Sequence, residues 1–277
     1  MKSLIITGGN GFVGSAIVNK FLKKKYRVII ATTKKNNKKK KGAIFVNFDF
    51  TKRINKKLIK YIKQSGLIIH CASILKSNKK ISESELFNLN ITGTHNLIKK
   101  AIMCKSKIFI NISTINLYPN DINTVITESS KTNPSSLYSL SKLTIEQLCN
   151  FYNKKKITKF SNLRISAPYG APYKVKSVLP NFIEKTFLNE KIQLENKGER
   201  GQVFTNIVDI ANACELIIKK QQSGTFNITG PETTSMKQLA TKIISLQKDT
   251  KSKIAYSKIS SDKLLKQYRK VSIQKAR

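Results

Sequence analysis

The stretch Thr7-Gly8-Gly9-Asn10-Gly11-Phe12-Val13-Gly14 decides how the rest of the chain is read. It closes a β-branched run, Ser3 to Thr7, and opens a segment, Phe12 to Lys24, whose apolar residues recur at helical spacing. Glycines at 8, 11 and 14 permit a tight turn, close approach of backbone to a pyrophosphate, and close packing of helix on strand. A pyrophosphate would lie over the helix N-terminus, where free N–H groups and the dipole favour negative charge. Gly8, Asn10, Gly11, Phe12, Val13 and Gly14 are therefore candidate cofactor contacts, with a ligand-free turn as the alternative.

Outward from this turn, short apolar runs alternate with helical patterns. Arg27 to Thr32, Ala43 to Phe48, Leu67 to His70, Lys107 to Ile112 and Lys159 to Ile165 read as strands. Helices are expected near Asn55 to Gln64, Glu83 to Cys104 and Pro134 to Asn153. Buried strands separated by helices imply a doubly wound, Rossmann-type parallel α/β sheet covered on both faces. Beyond Ile165 the rhythm loosens around Pro168, Pro172 and Pro180. Helices are expected at Leu179 to Leu188, Asp209 to Gln221, Ser235 to Gln247 and Ser261 to Lys270, with strands at Phe204 to Val208 and Thr225 to Thr229. The expected division is a dinucleotide-binding domain over 1–166 and a smaller, interleaved substrate lobe over 167–277, with returns to the main sheet near 203–230.

The 277 residues carry 52 Lys plus Arg against 15 Asp plus Glu, a formal charge of +37. Such a balance suggests a nucleic-acid or anionic-membrane partner. Only six of those cations are arginine, the residue suited to bidentate phosphate and base recognition, and no nucleic-acid motif accompanies them. Lys, Asn and Ile are all abundant, as AT-rich codon usage alone would produce, so a solvated surface is the plainer reading. The four cysteines, at 71, 104, 149 and 214, lack metal-site or disulfide spacing, and no apolar run reaches membrane-spanning length. A soluble cytoplasmic protein with free thiols and no metal is expected.

After the second expected strand stands Ala31-Thr32-Thr33-Lys34-Lys35, where an acidic residue usually grips the adenosine ribose. Hydroxyls and cations at Thr33 and Lys34 would suit a 2′-phosphate, which favours NADP slightly over NAD; a simple basic loop is the alternative. Asp49 and Phe50, after the third strand, are candidates for the adenine edge.

Tyr138 and Lys142 lie four residues apart in an expected helix and so share one face. A tyrosine titrates near 10, and a nearby ammonium with a positive nicotinamide ring would favour its phenolate. Lys142 could also hold the nicotinamide ribose. Thr114 ends a strand at the carboxyl edge of the sheet, where it could position a substrate oxygen against Tyr138 or merely cap the turn.

Taken together, these segments resemble the extended short-chain dehydrogenase/reductase family, the NAD-dependent epimerase/dehydratase group. The likeness runs from Thr7-Gly8 to Asn227. It includes His70-Cys71-Ala72-Ser73, Asn90-Ile91-Thr92-Gly93-Thr94, Ser113-Thr114, Leu163-Arg164-Ile165-Ser166-Ala167-Pro168-Tyr169-Gly170, Phe204-Thr205-Asn206-Ile207-Val208-Asp209 and Phe226-Asn227-Ile228. The resemblance implies hydride transfer on a nucleotide sugar, with Tyr138 as acid/base, Thr114 as its hydroxyl partner and Lys142 on the cofactor ribose. It adds Cys71, Ala72, Ser73 and Asn90 to the cofactor site, and Ser73, Thr114 and Arg200 to the substrate site. It also implies a homodimer built on helices near Glu83 to Cys104 and Pro134 to Asn153. Three features depart from the family pattern. Ile115-Asn116 replaces the Asp-Glu pair of sugar dehydratases, Gln202 stands where many epimerases carry arginine, and the C-terminal lobe is short. The rival reading is a catalytically silent Rossmann-fold regulator or RNA-binding protein.

Overall fold

A computed structural model describes residues 2–33, 40–75, 81–119, 124–172, 177–257 and 270–277. Ser3–Thr7 (β1) feeds through the glycine turn into Phe12–Lys23 (α1), followed by Arg27–Thr32 (β2) and Ala43–Asn47 (β3). Lys56–Ser65 (α2) starts where the Asn55 side chain accepts the Leu58 N–H, and ends at Gly66. Leu67–His70 (β4) then leads to Glu83–Phe87 (α3), opened by a capping box between Ser82 and Glu85.

The single helix expected over Glu83 to Cys104 is interrupted. Asn88–Gly93 forms one π-helical turn before Thr94–Met103 (α4). The extra residue per turn rotates Asn90 inward, where it is buried. Ile108–Thr114 (β5) follows, then Leu137–Asn153 (α5), capped by Ser136 close to the start expected near Pro134. Lys159–Ile165 (β6) and Ala167–Tyr169 (β7) come next. The later elements are Val178–Phe187 (α6), Ile192–Leu194 (β8), Gly201–Asn206 (β9), Ile207–Lys220 (α7), Gly224–Ile228 (β10), Thr233–Ser235 (β11), Met236–Leu246 (α8) and Ile254–Tyr256 (β12).

Seven strands pair in parallel in the order β10-β6-β5-β4-β1-β2-β3. One face packs Leu4, Ile6, Ile110 and Leu163 against α1 and α7; the other packs Ile5, Ile29, Phe109 and Phe160 against α2, α4 and α5. Each fully buried aliphatic side chain contributes about 1.5–3 kcal/mol, so this two-sided burial is what defines the sheet.

Two expectations need correction. The strand expected to run to Val208 ends at Asn206, because the Asn206 side chain caps α7 by accepting the Val208 N–H. That strand also joins β7 and β11 in a separate three-stranded sheet, so β10 is the element near 203–230 that returns to the main sheet. Phe182, Ile192, Leu194, Met236 and Ala240 form their own apolar cluster beneath α6 and α8. Most of the helix expected over Ser261 to Lys270 lies outside the described residues.

Candidate active site

The sheet order reverses between β1 and β4, and the crevice above such a switch point is where open α/β sheets take ligands. Gly8 has a φ of +64°, and a Cβ there would stand 2.8 Å from the Ala72 nitrogen. Gly14, in the first turn of α1, comes so near the Gly8 carbonyl that a Cβ would lie 2.3 Å from its oxygen. Only hydrogen fits at either place. The Gly11 N–H donates to Gly8 O at 2.9 Å, and Gly11 caps α1 without any side chain covering the helix end. Phe12 is buried in the core and Val13 packs against it, so neither offers more than backbone to a ligand above.

The Thr7 hydroxyl joins the two lips of the crevice. It hydrogen-bonds His70 Nδ1 at 2.7 Å and accepts the N–H groups of Cys71 and Ala72 at 3.2 and 3.3 Å. Burial pushes the His70 imidazole down to about 3 and the Cys71 thiol up to about 12. Both are neutral packing groups at ordinary pH.

At the end of β2, Asn10 Nδ2 donates to Thr32 Oγ1 at 3.4 Å, while Thr33 is exposed. Lys34 lies outside the described residues. Asp49 accepts the backbone and hydroxyl hydrogens of Thr51 at 2.9 and 2.7 Å, contacts that hold its carboxyl below the usual range. The Phe50 ring is buried against Phe48 and His70, which leaves only its backbone for an adenine edge.

Asn90 is spoken for by the protein itself. Its amide accepts the Ile74 N–H at 2.8 Å, donates to Ile74 O at 3.0 Å, and donates to Ser141 Oγ at 3.1 Å. It therefore fixes the segment after β4 against α5.

Tyr138, Ser73 and Lys142 meet at that junction. Ser73 lies beside the Tyr138 phenol. Lys142 is buried, with Nζ donating to Ile112 O at 3.0 Å and lying 5.8 Å from the Tyr138 ring centroid. Burial pushes its ammonium down to about 8, opposed by Cys71 and Glu146. The lowering expected for Tyr138 is absent in the chain itself: burial pushes the phenol up, and the neighbouring Ser73 only partly offsets this. Thr114 ends β5, buried, and its Oγ1 accepts the Asn116 N–H at 3.2 Å, leaving the hydroxyl hydrogen to donate elsewhere. Arg200 is half-buried just before β9, its carbonyl accepting the Met236 N–H.

Sequence reasoning missed Thr7, Ser141 and Glu146. Glu146 was within reach, since it continues the Tyr138 and Lys142 stripe by one more helical turn. A cavity of about 650 Å³ between α7, β10 and residues 273–277 contains none of these residues. No helix among the described residues is long and apolar enough to cross a membrane, and no group of three or more His, Cys, Asp or Glu could hold a metal there.

A parallel sheet with a glycine-lined crevice at its switch point, with Ser73, Tyr138 and Lys142 nearby, defines a Rossmann-type α/β fold. Residues 4–229 match the NAD dependent epimerase/dehydratase family, and the chain belongs to that family. A dTDP-D-glucose 4,6-dehydratase of Dictyostelium discoideum is 28% identical over 270 residues, covering 89% of this chain and 62% of that protein. A UDP-glucose 4-epimerase of Halalkalibacterium halodurans is 25% identical over 266 residues, covering 86% and 78%. The crystal structure of a UDP-glucose 4-epimerase from Thermotoga maritima with UDP-glucose shares the fold at a TM-score of 0.81 and 22% identity, covering 99% of this chain and 91% of that one.

Proposed function

We propose that the chain is an NAD(P)-dependent enzyme that epimerises or reduces a nucleotide-activated sugar, with Tyr138 as its acid/base. The observation that carries this reading is the Ser73–Tyr138–Lys142 cluster directly beside the Gly8–Ala72 crevice. The cradle suits a dinucleotide because a side chain at Gly8 or Gly14 would collide with backbone. Bound nicotinamide would supply a hydride acceptor and donor.

The chain's own residues account for the remaining chemistry. Gly8, Gly11 and Gly14 admit the pyrophosphate to the N-terminus of α1, with Asn10, Phe12 and Val13 bounding the turn. Cys71, Ala72 and Ser73 line the opposite lip, and Asn90 acts by holding that lip in place. Lys142 would hold the ribose, and its charge together with an oxidised nicotinamide would favour the Tyr138 phenolate. Thr114 orients the sugar oxygen whose proton Tyr138 takes or returns. Arg200 is assigned to the nucleotide phosphates, and the cluster under α6 and α8 to the lobe that would cover the sugar.

Epimerisation or reduction is favoured over dehydration. Ile115 is packed among Tyr118, Ile126, Val203 and Val271, so no carboxylic acid stands next to Thr114 to drive loss of water. The end of β2 carries Thr32 and Thr33 in place of an acidic residue, which supports acceptance of NADP as well as NAD, with Asp49 and Phe50 near the adenine. A homodimer through α4 and α5 fits the exposed Met103, Leu140 and Phe151 on those helices. The reading places the protein in the cytoplasm, where both cofactors occur.

The test is incubation with NAD or NADPH and a panel of UDP- and dTDP-sugars. Conversion by the wild type that is lost in Tyr138→Phe supports the proposal. Equal conversion by Tyr138→Phe refutes it.

A further inference from the structure

The cavity of about 650 Å³ between α7, β10 and residues 273–277 has no part in the proposed chemistry. It lies at the sheet edge, since β10 ends the strand order and β6 and β5 stand between it and β4. It opens on the face of the sheet that α1 and α7 cover, opposite α5 with its Tyr138 and Lys142. Its volume falls among those of sites that take small molecules, about 300–1,000 Å³.

The walls are tied in place by the protein's own hydrogen bonds. Ile126 and Val271 pair as an isolated parallel bridge, and the Ser272 N–H donates to Ile126 O at 2.8 Å. Asn227 Nδ2 donates to Ser272 O at 3.2 Å, and the Asn227 N–H donates to the Glu128 carboxylate at 2.8 Å. The Ala276 N–H then closes a turn on Ile273 O at 3.0 Å. Residues 271–276 are thus fixed against β10, and the space they enclose with α7 is preformed.

The lining changes character along the cavity. Its middle is apolar: Leu216 and Ile217 of α7 line it with Phe226 and Ile228 of β10, and Leu216 keeps 47% of its surface exposed there. Past the end of α7 the lining turns cationic. Lys275 Nζ lies 5.0 Å from the Phe226 ring centroid and 3.9 Å from where a Cβ on Gly224 would stand, over the turn that follows Lys220. Among the described residues neither lysine is held by a carboxylate. The one acidic side chain in the lining, Asp209, sits at the other end of α7, about 16 Å away along the helix axis.

We propose that this cavity is a second binding site, distinct from the dinucleotide crevice, for a small organic anion. Its apolar body would lie between Leu216 and Phe226, and its carboxylate or similar head between Lys220 and Lys275. The sign follows from the lining: a cation would meet two ammonium groups at that end, and a neutral ligand would gain only the apolar burial. An aromatic body also suits the Phe226 ring, whose face already attracts Lys275. Thr229, Gly230 and Pro231 line the cavity too, and the Gly230 N–H donates to Phe204 O at 2.8 Å. A bound anion would therefore abut the link from the main sheet to the β7-β9-β11 sheet.

Calorimetric titration of the full chain with 2-naphthoate, 2-naphthylmethanol and 2-naphthylmethylamine tests this site without requiring turnover. Naphthoate should bind at one saturable site, the alcohol about tenfold more weakly, and the amine more weakly still. K220A/K275A, which changes two exposed side chains, should reduce naphthoate to the affinity of the alcohol and leave the alcohol unchanged. L216W, at an exposed position, should fill the cavity and abolish binding of both. Anions can also collect on scattered surface lysines, and K56A/K57A, at two exposed positions on α2, should leave naphthoate unchanged. NAD and UDP should not displace it. Equal naphthoate affinity in a folded K220A/K275A would overturn the proposal. So would an equal loss in K56A/K57A, displacement by NAD or UDP, or no saturable binding up to about 1 mM.

Discussion

The Thr7 hydroxyl and the His70 imidazole are hydrogen-bonded at 2.7 Å across β1 and β4, and Thr94 holds the other ring nitrogen at 2.9 Å. The same Thr7 oxygen accepts the N–H groups that begin the Cys71–Ser73 lip. One buried pair thus fixes the crevice between the glycine turn and the segment carrying Ser73.

The buried state of His70 predicts an acid limit on stability. Its folded value is depressed to about 3, whereas an unfolded histidine titrates near 6.5. Between these values the unfolded chain binds the extra proton, so its contribution to stability is intact above pH 6.5 and is lost as pH falls toward 3. The full span corresponds to an upper limit of about 5 kcal/mol. Urea unfolding across this window should show stability declining with acidity, and His70→Asn should flatten that part of the slope. An unchanged slope in the variant would place the acid sensitivity elsewhere.

Gly11 and Gly14 should separate binding from folding. A methyl at Gly14 meets the Gly8 carbonyl at 2.3 Å, with backbone on both sides and no flexible side chain to yield. Gly14→Ala should cost about 1–3 kcal/mol of stability or more. At Gly11, which is exposed, a methyl meets only the Gly8 oxygen, at 3.1 Å, a contact that a shift of a few tenths of an ångström relieves. Gly11→Ala should therefore cost far less stability than Gly14→Ala while weakening NAD in calorimetry.

Thiol accessibility gives a third check. Cys149 and Cys214 are buried with their thiols pushed up, and Cys71 is pushed to about 12. Alkylation of the native chain at pH 7.5, read by mass spectrometry, should modify Cys104 first and spare the other three until the chain is unfolded.

Tyr118→Phe removes the hydroxyl between Arg164 Nη1 and Asn227 Oδ1. Leaving those buried groups unpaired should cost about 1–3 kcal/mol in denaturant unfolding. A cost near zero would mean that water or a side-chain shift replaces the hydroxyl.

The glycine turn was legible because its function is local: strand, three glycines and helix lie within eight residues. Tyr138 and Lys142 were legible for the same reason, since helical spacing alone puts them on one face. The Glu146–Arg164 ion pair joins a helix to a strand, and its partner choice depends on the stacking of α5 over β6. The π turn at Asn88–Gly93 left no periodic signal, because one added residue per turn is invisible in an apolar pattern read with a helical period. Phe204 looked like a continuation of the main sheet because strand propensity does not say which strand is the neighbour.

The most direct test of the account is proton NMR of UDP-glucose incubated with the chain and NAD, followed by other UDP- and dTDP-sugars, for wild type and Tyr138→Phe side by side. The account predicts that at least one sugar is altered at a ring carbon by the wild type, and is left untouched by a Tyr138→Phe variant that still binds NAD. Conversion by both proteins at the same rate would contradict it.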